Sequence, residues 1–301
     1  MTSINHGDGG AVTFLEERYT LGALLGEGAV GCVYAAFDTV LGIDVAVKIM
    51  HARHVSSRAM CERFANEASL SARMLSPHVV RVLGLAITYS GAPCIVYELL
   101  EGETLASFLK RRGKLSLDET NEIVKQTARA LARVHALGIV HRDVKPDNIF
   151  ITTQANGHAL IKLLDFGVAG TMKPGKTNNE LVGTPEYMAP EVLFGTETLD
   201  ARVDVYALGV LAFECLTGEC PFTGERMTDI FTAVQAGSRA TVAELRTDLA
   251  INIDEWIDSA LQPDPYWRFG SVKELATAFQ AALSAPTTSH NIARVAIRRA
   301  A

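Results

Sequence analysis

The sequence predicts an α+β fold made of two lobes, a small strand-rich lobe followed by a larger, mostly helical one. Short β-rich segments and one main helix occupy the chain up to residue 100, and helical patterns dominate beyond residue 104. Strands that precede helices in this way indicate two packed regions rather than an alternating α/β sheet. The 301 residues, 48% of them hydrophobic, are sufficient for a substantial core.

The predicted main domain covers residues 19–285 and is flanked by two short segments. Residues 1–18 are predicted to be a flexible leader, because the chain begins with polar residues and glycines. Residues 286–301 are predicted to be a solvated tail or the start of further domains, with a partner or membrane-surface helix as the alternative. The small lobe, the connection and the large lobe are placed at about 19–98, 98–102 and 103–285.

Individual elements follow from periodicity and capping signals. Predicted strands of the small lobe cover 19–25, 32–37, 44–50, 79–88 and 93–99, and its helix covers 58–75. In the large lobe, Ser116 followed by Glu119 is a capping-box pattern, which predicts that a helix begins there and runs to about residue 137.

Composition and charge exclude several classes of function. A net charge of −6 gives no electrostatic footprint for nucleic acid or for an anionic membrane surface. No signal-peptide pattern opens the chain, and the longest apolar run, 207–213, is too short to span a bilayer, so membrane insertion is not expected. The five cysteines show neither metal-ligand spacing nor a CxxC pair, which favours reduced thiols and a cytoplasmic location.

Charged and polar side chains concentrate in the octet that runs from His141 to Asn148. Pro146 cannot continue the preceding helix, so the octet is predicted to be a loop. Such charges ordinarily belong to a solvated surface turn. Here the apolar flanks, Ile139-Val140 before and Ile149 to Ile151 after, hold the loop between buried segments, which indicates a site.

A hairpin follows the charged loop. Asn156-Gly157 is a strong signal for a two-residue turn, and that turn would place Asn148 directly opposite Asp165. A longer turn would shift this register by a residue or two. Together with Asp143, these oxygen donors are of the kind that Mg²⁺ takes along with substrate phosphates.

Three glycines, Gly26, Gly28 and Gly31, stand at the spacing GxGxxG. A dinucleotide-binding fold needs a helix immediately after them, whereas residues 32–37 favour a strand, and the Walker pattern is absent. The glycines are therefore predicted to form a hairpin turn whose backbone can approach phosphates.

One lysine, Lys48, lies in the apolar strand segment Val45-Ala46-Val47. A solvent-facing lysine is the ordinary reading of such a position. If Lys48 is buried instead, it needs an acidic partner, which Glu67 on the predicted helix can supply.

Taken together, these residues resemble the protein kinases of the eukaryotic type, also called Hanks-type, and in particular their bacterial serine/threonine members. The resemblance covers about residues 19–285 and implies the bilobal kinase fold. The motifs occur in the order that the family shows, namely Gly26-x-Gly28-x-x-Gly31-x-Val33, Val45 to Lys48, Glu67, His141-Arg142-Asp143 with Asn148, Asp165-Phe166-Gly167 and Ala189-Pro190-Glu191.

The resemblance implies a role for each matching residue. The catalytic side chains would be Asp143, which orients the substrate hydroxyl, with Lys145, Lys48 and Asn148. Asn148 and Asp165 would hold the metal, Mg²⁺ or alternatively Mn²⁺. ATP would contact the glycine-rich turn, the lysine and its partner, and the connection between the lobes, that is Gly26, Glu27, Gly28, Gly31, Val33, Ala46, Lys48, Glu67, Tyr97, Glu98 and Leu100.

Substrate class and regulation are also implied by the resemblance. Lys145 after the catalytic aspartate, and Thr184 in Gly183-Thr184-Pro185-Glu186-Tyr187, are the serine/threonine pattern, so protein substrates with Ser or Thr acceptors are expected. Arg142 implies control by a phosphate on the activation segment, with Thr171 and Thr177 as candidate acceptors, and a homodimer would allow phosphorylation in trans. Three residues, Glu191, Asp204 and Arg268, are expected to be structural.

The chain departs from the family pattern at three places. Val30 stands at the tip of the glycine-rich turn, Ser71 replaces an apolar packing residue, and Phe269-Gly270 follows Arg268 where proline is common. None of these changes removes a catalytic group. The alternatives are a pseudokinase that transfers nothing, a small-molecule phosphotransferase of similar plan, and a dehydrogenase, which the missing helix after the glycines disfavours.

Overall fold

The structure is a computed structural model that describes residues 13–154, 157–167, 169–171, 183–195, 200–249 and 252–284. The chain divides into two compact units. The first comprises the described residues up to Gly102 together with Leu164–Gly167, and the second comprises Glu103–Leu163 and the described residues from Ala169 onward.

The first unit is built on a five-stranded antiparallel sheet of order β1-β2-β3-β5-β4. Its strands are β1 (Tyr19–Glu27), β2 (Gly31–Asp38), β3 (Ile43–Met50), β4 (Val82–Ile87) and β5 (Pro93–Glu98). Its helices are α1 (Leu15–Arg18), α2 (Ala52–Val55) and α3 (Arg58–Ala72). The Ser57 side chain caps α3 by accepting a hydrogen bond from the backbone N–H of Met60.

The two faces of this sheet carry two hydrophobic clusters, because alternate residues of a strand point to opposite sides. Val45 and Val47 of β3 belong to one cluster, and Ala46 belongs to the other, where it packs with Phe64 of α3. Lys48 lies two residues after Ala46 in β3, so its side chain points to the same face of the sheet, which α3 covers.

The N-terminal boundary requires a correction. Leu15, which the sequence analysis assigned to the flexible leader, is 1% exposed and belongs to the core. Phe14 forms a parallel bridge to Ile87, and the backbone N–H of Ile87 donates to the carbonyl of Thr13 at 3.1 Å. Residues 13–18 are therefore part of the first unit, because the apolar side of α1 covers one end of the sheet.

The second unit is mostly helical. Its helices are α4 (Leu105–Arg112), α5 (Leu117–His135), α6 (Pro190–Leu193), α7 (Arg202–Thr217), α8 (Met227–Ala236), α9 (Val242–Leu245), α10 (Asn252–Ala260) and α11 (Val272–Ser284). Its short strands are β6 (Gly102–Thr104), β7 (Ile139–Val140), β8 (Ile149–Thr153), β9 (Ala159–Leu163) and β10 (Gly170–Thr171), with β6 beginning at the division between the units. The predicted capping box is present, since Ser116 and Glu119 exchange hydrogen bonds at the start of α5. Among the described helices, none is both long and apolar enough to cross a membrane.

The β8–β9 hairpin has a register that differs from the predicted one. Ile149 pairs with Leu163, whereas a two-residue turn at residues 156–157 would pair it with Leu164. The backbone N–H of Gln154 donates to His158 at 2.9 Å, which leaves a three-residue loop, and Gly157 in that loop has φ +81°. A left-handed glycine at the end of a three-residue loop is a common hairpin solution. The predicted pairing of Asn148 with Asp165 is therefore wrong by one residue.

Candidate active site

A buried ion pair lies at the centre of the first unit. The Lys48 ammonium donates to both carboxylate oxygens of Glu67, at 2.7 and 2.8 Å. The side chains are 13% and 3% exposed, so the alternative of a solvent-facing lysine does not apply. Burial disfavours the ammonium ion, but the carboxylates of Asp165 and Glu67 outweigh this effect and raise the pKa of Lys48. The lysine thus stays charged and fixed in position.

Two further residues complete this cluster. The Tyr97 hydroxyl donates to Oε1 of Glu67 at 2.6 Å, and Oδ2 of Asp165 lies 3.6 Å from the Lys48 ammonium. Asp165 has a left-handed backbone, with φ +48°, and its Oδ1 accepts a hydrogen bond from the backbone N–H of Gly167 at 2.8 Å. A Cβ at Gly167 would lie 2.9 Å from that Oδ1, so a side chain there would crowd the carboxylate.

An apolar surface borders the ion pair on the same face of the sheet. Ala46 and Tyr97 are buried cluster members and are paired across β3 and β5. Val33 and Leu100 pack against the same cluster and are partly exposed. The Glu98 carboxylate accepts a hydrogen bond from the backbone N–H of Arg81 at 2.8 Å, which anchors the end of β5. Ala46, Tyr97, Val33 and Leu100, all predicted to contact ATP, therefore share one surface of the first unit.

The glycine-rich segment forms the turn between β1 and β2. Glu27 pairs with Cys32, and the backbone N–H of Gly28 donates to the carbonyl of Gly31 at 2.9 Å. A Cβ on Gly31 would lie 2.2 Å from the carbonyl oxygen of Ile49, so only glycine fits there. Gly26, in contrast, has nothing within 4 Å of its Cβ position. Gly26, Gly28 and Gly31 thus leave bare backbone beside the tip of the turn, which Ala29 and Val30 form.

In the second unit, two predicted side chains of the charged loop, those of Lys145 and Asn148, contact Asp143. Oδ2 of Asp143 accepts a hydrogen bond from Nδ2 of Asn148 at 2.8 Å and lies 3.0 Å from the Lys145 ammonium. Lys145 also donates to the Thr184 hydroxyl at 2.8 Å. Nδ2 of Asn148 donates to the backbone carbonyl and to Oδ2 of Asp143, so its Oδ1 remains as an oxygen donor that suits a hard divalent cation.

The backbone of this loop is held by Asp204 of α7. Its fully buried carboxylate accepts the backbone N–H groups of His141 and Arg142, both at 2.9 Å. Nε2 of His135 lies 2.7 Å from Oδ2 of Asp204. Burial opposes the charge of Asp204, but these hydrogen bonds, chiefly that of His135, lower its pKa. The anchored loop can then keep Arg142 at φ +67°, a conformation that non-glycine residues seldom adopt.

The Arg142 side chain is only partly satisfied. Its Nε is buried and has no hydrogen-bond partner among the described residues. Burial lowers the pKa of its guanidinium, against the opposing effect of Asp204. Of the two candidate phosphate acceptors, Thr171 lies in β10, where its backbone pairs with Ile139, and Thr177 falls outside the described residues.

Glu191 and Arg268 form a second buried pair, apart from the charged loop. Nη1 and Nη2 of Arg268 each donate to one carboxylate oxygen of Glu191 at 2.7 Å. The remaining N–H groups donate to backbone carbonyls, those of Gln262, Arg202 and Pro263. All five donors of the guanidinium are thus used, which suits a structural role.

Two contributors to the site were missed by the sequence analysis. The hydroxyl of Tyr97 was not assigned a role, although the residue was expected to contact ATP. His135 was not considered at all, although its place in the last turn of α5 brings it to Asp204. The only available signal was its position six residues before His141, which by itself indicates nothing.

Comparison with known proteins gives consistent results. Residues 19–280 match the protein kinase domain family. The chain is 36% identical over 273 residues to the serine/threonine-protein kinase PknA of Mycobacterium tuberculosis, which covers 89% of this chain and 62% of PknA. It is 38% identical over 220 residues to a probable serine/threonine-protein kinase PknB of Bifidobacterium longum, which covers 69% of this chain and 31% of that protein. A serine/threonine-protein kinase of Myxococcus xanthus is 34% identical over 283 residues, which covers 90% of this chain and 33% of that protein. The chain therefore spans between about a third and two thirds of the length of these relatives.

Proposed function

Because this chain belongs to the protein kinase domain family, we propose that it is a non-specific serine/threonine protein kinase, which transfers the γ-phosphate of ATP to Ser or Thr hydroxyls of proteins. The observation that carries this proposal is the set of contacts around Asp143, which joins a carboxylate, the Lys145 ammonium and the Asn148 amide to the Thr184 hydroxyl. The relatives of this chain are named serine/threonine-protein kinases, which supports the same conclusion.

ATP binding is assigned to the first unit. The Lys48 ammonium, fixed by Glu67, would hold the α and β phosphates as a point charge. The bare backbone of the turn from Gly26 to Gly31 would cover the phosphates, and the apolar surface that contains Ala46 would receive the adenine. Main-chain groups of Glu98 and Leu100 are the proposed hydrogen-bonding partners of the base.

The family to which the chain belongs implies use of a divalent metal with ATP. We assign Asp165 in the first unit and Asn148 in the second as its ligands. Carboxylate and amide oxygens favour Mg²⁺, with Mn²⁺ as the alternative. When bound, such an ion neutralises charge on the phosphates of ATP.

Phosphoryl transfer requires chiefly positioning and charge neutralisation from the protein. Asp143 would orient the substrate hydroxyl and take its proton, since Asn148 and Lys145 fix the direction of its carboxylate. Lys145 would offset negative charge on the transferred phosphoryl group. Its bond to Thr184 ties it to the Gly183–Tyr187 segment, which would dock the peptide that bears the acceptor.

Regulation by phosphorylation is supported by Arg142. A buried guanidinium Nε without a partner among the described residues can receive a phosphate oxygen by a charge-assisted hydrogen bond. We propose Thr171 and Thr177 as the acceptors, phosphorylated in trans within a homodimer. We also propose a cytoplasmic location, which is supported by five free cysteines.

The experiment that tests this function is incubation of the purified chain with labelled ATP·Mg²⁺, alone and with a generic basic protein. Wild type should incorporate label into serine and threonine, as shown by phosphoamino-acid analysis. Asp143→Asn and Lys48→Met should each lower incorporation by at least about a hundredfold, since each removes charge stabilisation from the transition state. Asp118→Asn makes the same chemical change as Asp143→Asn at an exposed position of α5 and should leave incorporation unchanged.

The alternatives predict other outcomes. A pseudokinase would bind ATP but give no label above the Asp143→Asn background. A small-molecule kinase would consume ATP only when a small hydroxyl compound is added. Equal incorporation by wild type and Asp143→Asn would refute the assignment of Asp143.

A further inference from the structure

Three potential metal ligands meet at the base of the glycine-rich turn. They are the Glu27 carboxylate, the Cys32 thiol and the His51 imidazole, and their ligand atoms all lie within 4.8 Å of one another. Glu27 ends β1, Cys32 is the second residue of β2, and His51 directly follows β3. The side chains thus come from three adjacent strands at one end of the sheet.

The register of the sheet places these residues together. Glu27 and Cys32 are cross-strand partners, and Cys32 also pairs with Ile49. The backbone N–H of His51 donates to the carbonyl of Val30 at 2.9 Å, which extends the pairing of β2 and β3 to the turn. The pairing of the backbone therefore brings the three residues of the cluster together.

The orientation of His51 suits a ligand. Its Nδ1 lies 4.0 Å from Sγ of Cys32, while Nε2 lies 3.0 Å from the carbonyl of Gly28 and 3.7 Å from Oε1 of Glu27. Metal-bound histidines commonly donate their other ring N–H to a carbonyl or carboxylate, which fixes the ring. In a tetrahedral zinc site with bonds of about 2.0–2.3 Å, ligand atoms stand about 3.3–3.8 Å apart. The ligand atoms lie within 4.8 Å of one another, and the partly exposed His51 and the exposed Glu27 must move closer to reach this spacing.

We propose that Glu27, Cys32 and His51 form a binding site for Zn²⁺ at the base of the glycine-rich turn. A thiolate, an imidazole and a carboxylate are the ligand types that zinc selects over Mg²⁺. Three protein ligands leave the fourth position to water, as in open zinc sites. The spacing of these residues in the sequence gives no indication of the site, because each ligand comes from a different strand.

Zinc at this position would have a consequence for the activity, which rests on the proposed function. A bound ion would tie the ends of β1 and β2 to the residue after β3 and so restrict the turn that is assigned to cover the phosphates. We expect Zn²⁺ to lower phosphorylation by wild type, and we expect this inhibition to be lost in Cys32→Ser.

Binding is tested with Co²⁺ as a spectroscopic substitute for Zn²⁺, in the full chain and without ATP. Wild type should bind one equivalent with a thiolate-to-cobalt charge-transfer band, and Zn²⁺ should displace it. Cys32→Ser should abolish the band. His51→Gln should weaken binding by more than about tenfold, because the loss of a residue that only supports a metal ligand already costs about tenfold in affinity. Matched controls are Cys61→Ser, a second partly exposed free thiol, and His54→Gln, a nearby histidine outside the cluster, and both should bind as wild type does.

Several results would overturn the site. They are the absence of the band in wild type, its persistence in Cys32→Ser, its loss in Cys61→Ser, or equal effects of the two histidine changes. The spectrum is recorded without nucleotide, so it does not depend on phosphoryl transfer. A chain that binds Zn²⁺ but never phosphorylates would refute the proposed function alone, and an active kinase without the band would refute the zinc site alone.

Discussion

Replacing Arg268 by methionine should destabilise the second unit strongly. The substitution keeps an unbranched apolar stem but removes the guanidinium that pairs with Glu191. The side chains of Arg268 and Glu191 are 0% and 7% exposed. Removing one partner of a buried ion pair typically costs about 3–5 kcal/mol, because the remaining charge is left without compensation. At about 2–4 °C per kcal/mol for a unit of this size, the midpoint of thermal unfolding should fall by about 6–20 °C.

The assay can be confined to the second unit. Both tryptophans of the chain, Trp256 and Trp267, lie in that unit, so their fluorescence during urea unfolding reports on it selectively. The matched control is Arg226→Met, which breaks an ion pair with Asp229 at a side chain that is 78% exposed and should cost less than about 1 kcal/mol.

A double variant separates the pair from the rest of the network. Glu191→Leu combined with Arg268→Met removes both charges, so it should be more stable than Arg268→Met alone, although three backbone carbonyls still lose a donor. If Arg268→Met shifts the urea midpoint no more than Arg226→Met does, the reasoning about burial of this pair is wrong. The same holds if the double variant is less stable than Arg268→Met.

Three other predictions follow from the described contacts. Tyr97→Phe removes a hydrogen bond to the charged Glu67, an interaction of about 1.5–3 kcal/mol, and should lower kcat/KM for ATP about ten- to a hundredfold; unchanged kinetics would show that the hydroxyl has no role. Gly31→Ala should reduce the free energy of unfolding by about 1–3 kcal/mol through overpacking, and so lower the thermal midpoint measured by circular dichroism. Gly26→Ala should leave the midpoint unchanged, and equal effects of the two changes would contradict the steric argument. Burial raises the pKa of the Cys94 and Cys220 thiols to about 12 and the pKa of the Cys215 thiol well above its usual value, so at pH 8 these thiols remain protonated and poorly nucleophilic. Iodoacetamide in the native state, followed by peptide mass spectrometry, should therefore label Cys32 and Cys61 well before Cys94, Cys215 and Cys220; rapid alkylation of the last three would contradict the burial described.

Local signals in the sequence predicted the elements well wherever one short pattern determines the structure. The capping box of Ser116 and Glu119 begins α5 as predicted, and the helix predicted over 58–75 is present as Arg58–Ala72. The hairpin register was wrong because a turn of two residues and a turn of three share the same Asn-Gly signal, and the choice between them depends on the whole ladder.

In the candidate site, too, contacts within reach of a simple sequence argument were predicted and contacts that depend on packing were not. The ion pair of Lys48 with Glu67 was predicted from charge balance and is present. The bond from Tyr97 to Glu67 and the contact of His135 with Asp204 join residues 30 and 69 positions apart. Such contacts depend on how helices and strands pack, which no short pattern encodes, and the cluster of Glu27, Cys32 and His51 was overlooked for the same reason.

The division of the chain has a consequence for how the first unit is assembled and studied. The sheet of this unit is complete once Glu98 has been synthesised. Leu164–Gly167 also belong to the first unit, but they emerge from the ribosome much later. A nascent or excised fragment that ends at Gly102 would contain Lys48 with only one of its two carboxylate neighbours, since Asp165 would be missing. Nucleotide binding measured on such a fragment would describe the proposed ATP site without Asp165, and a split protein would need both pieces present to restore that site.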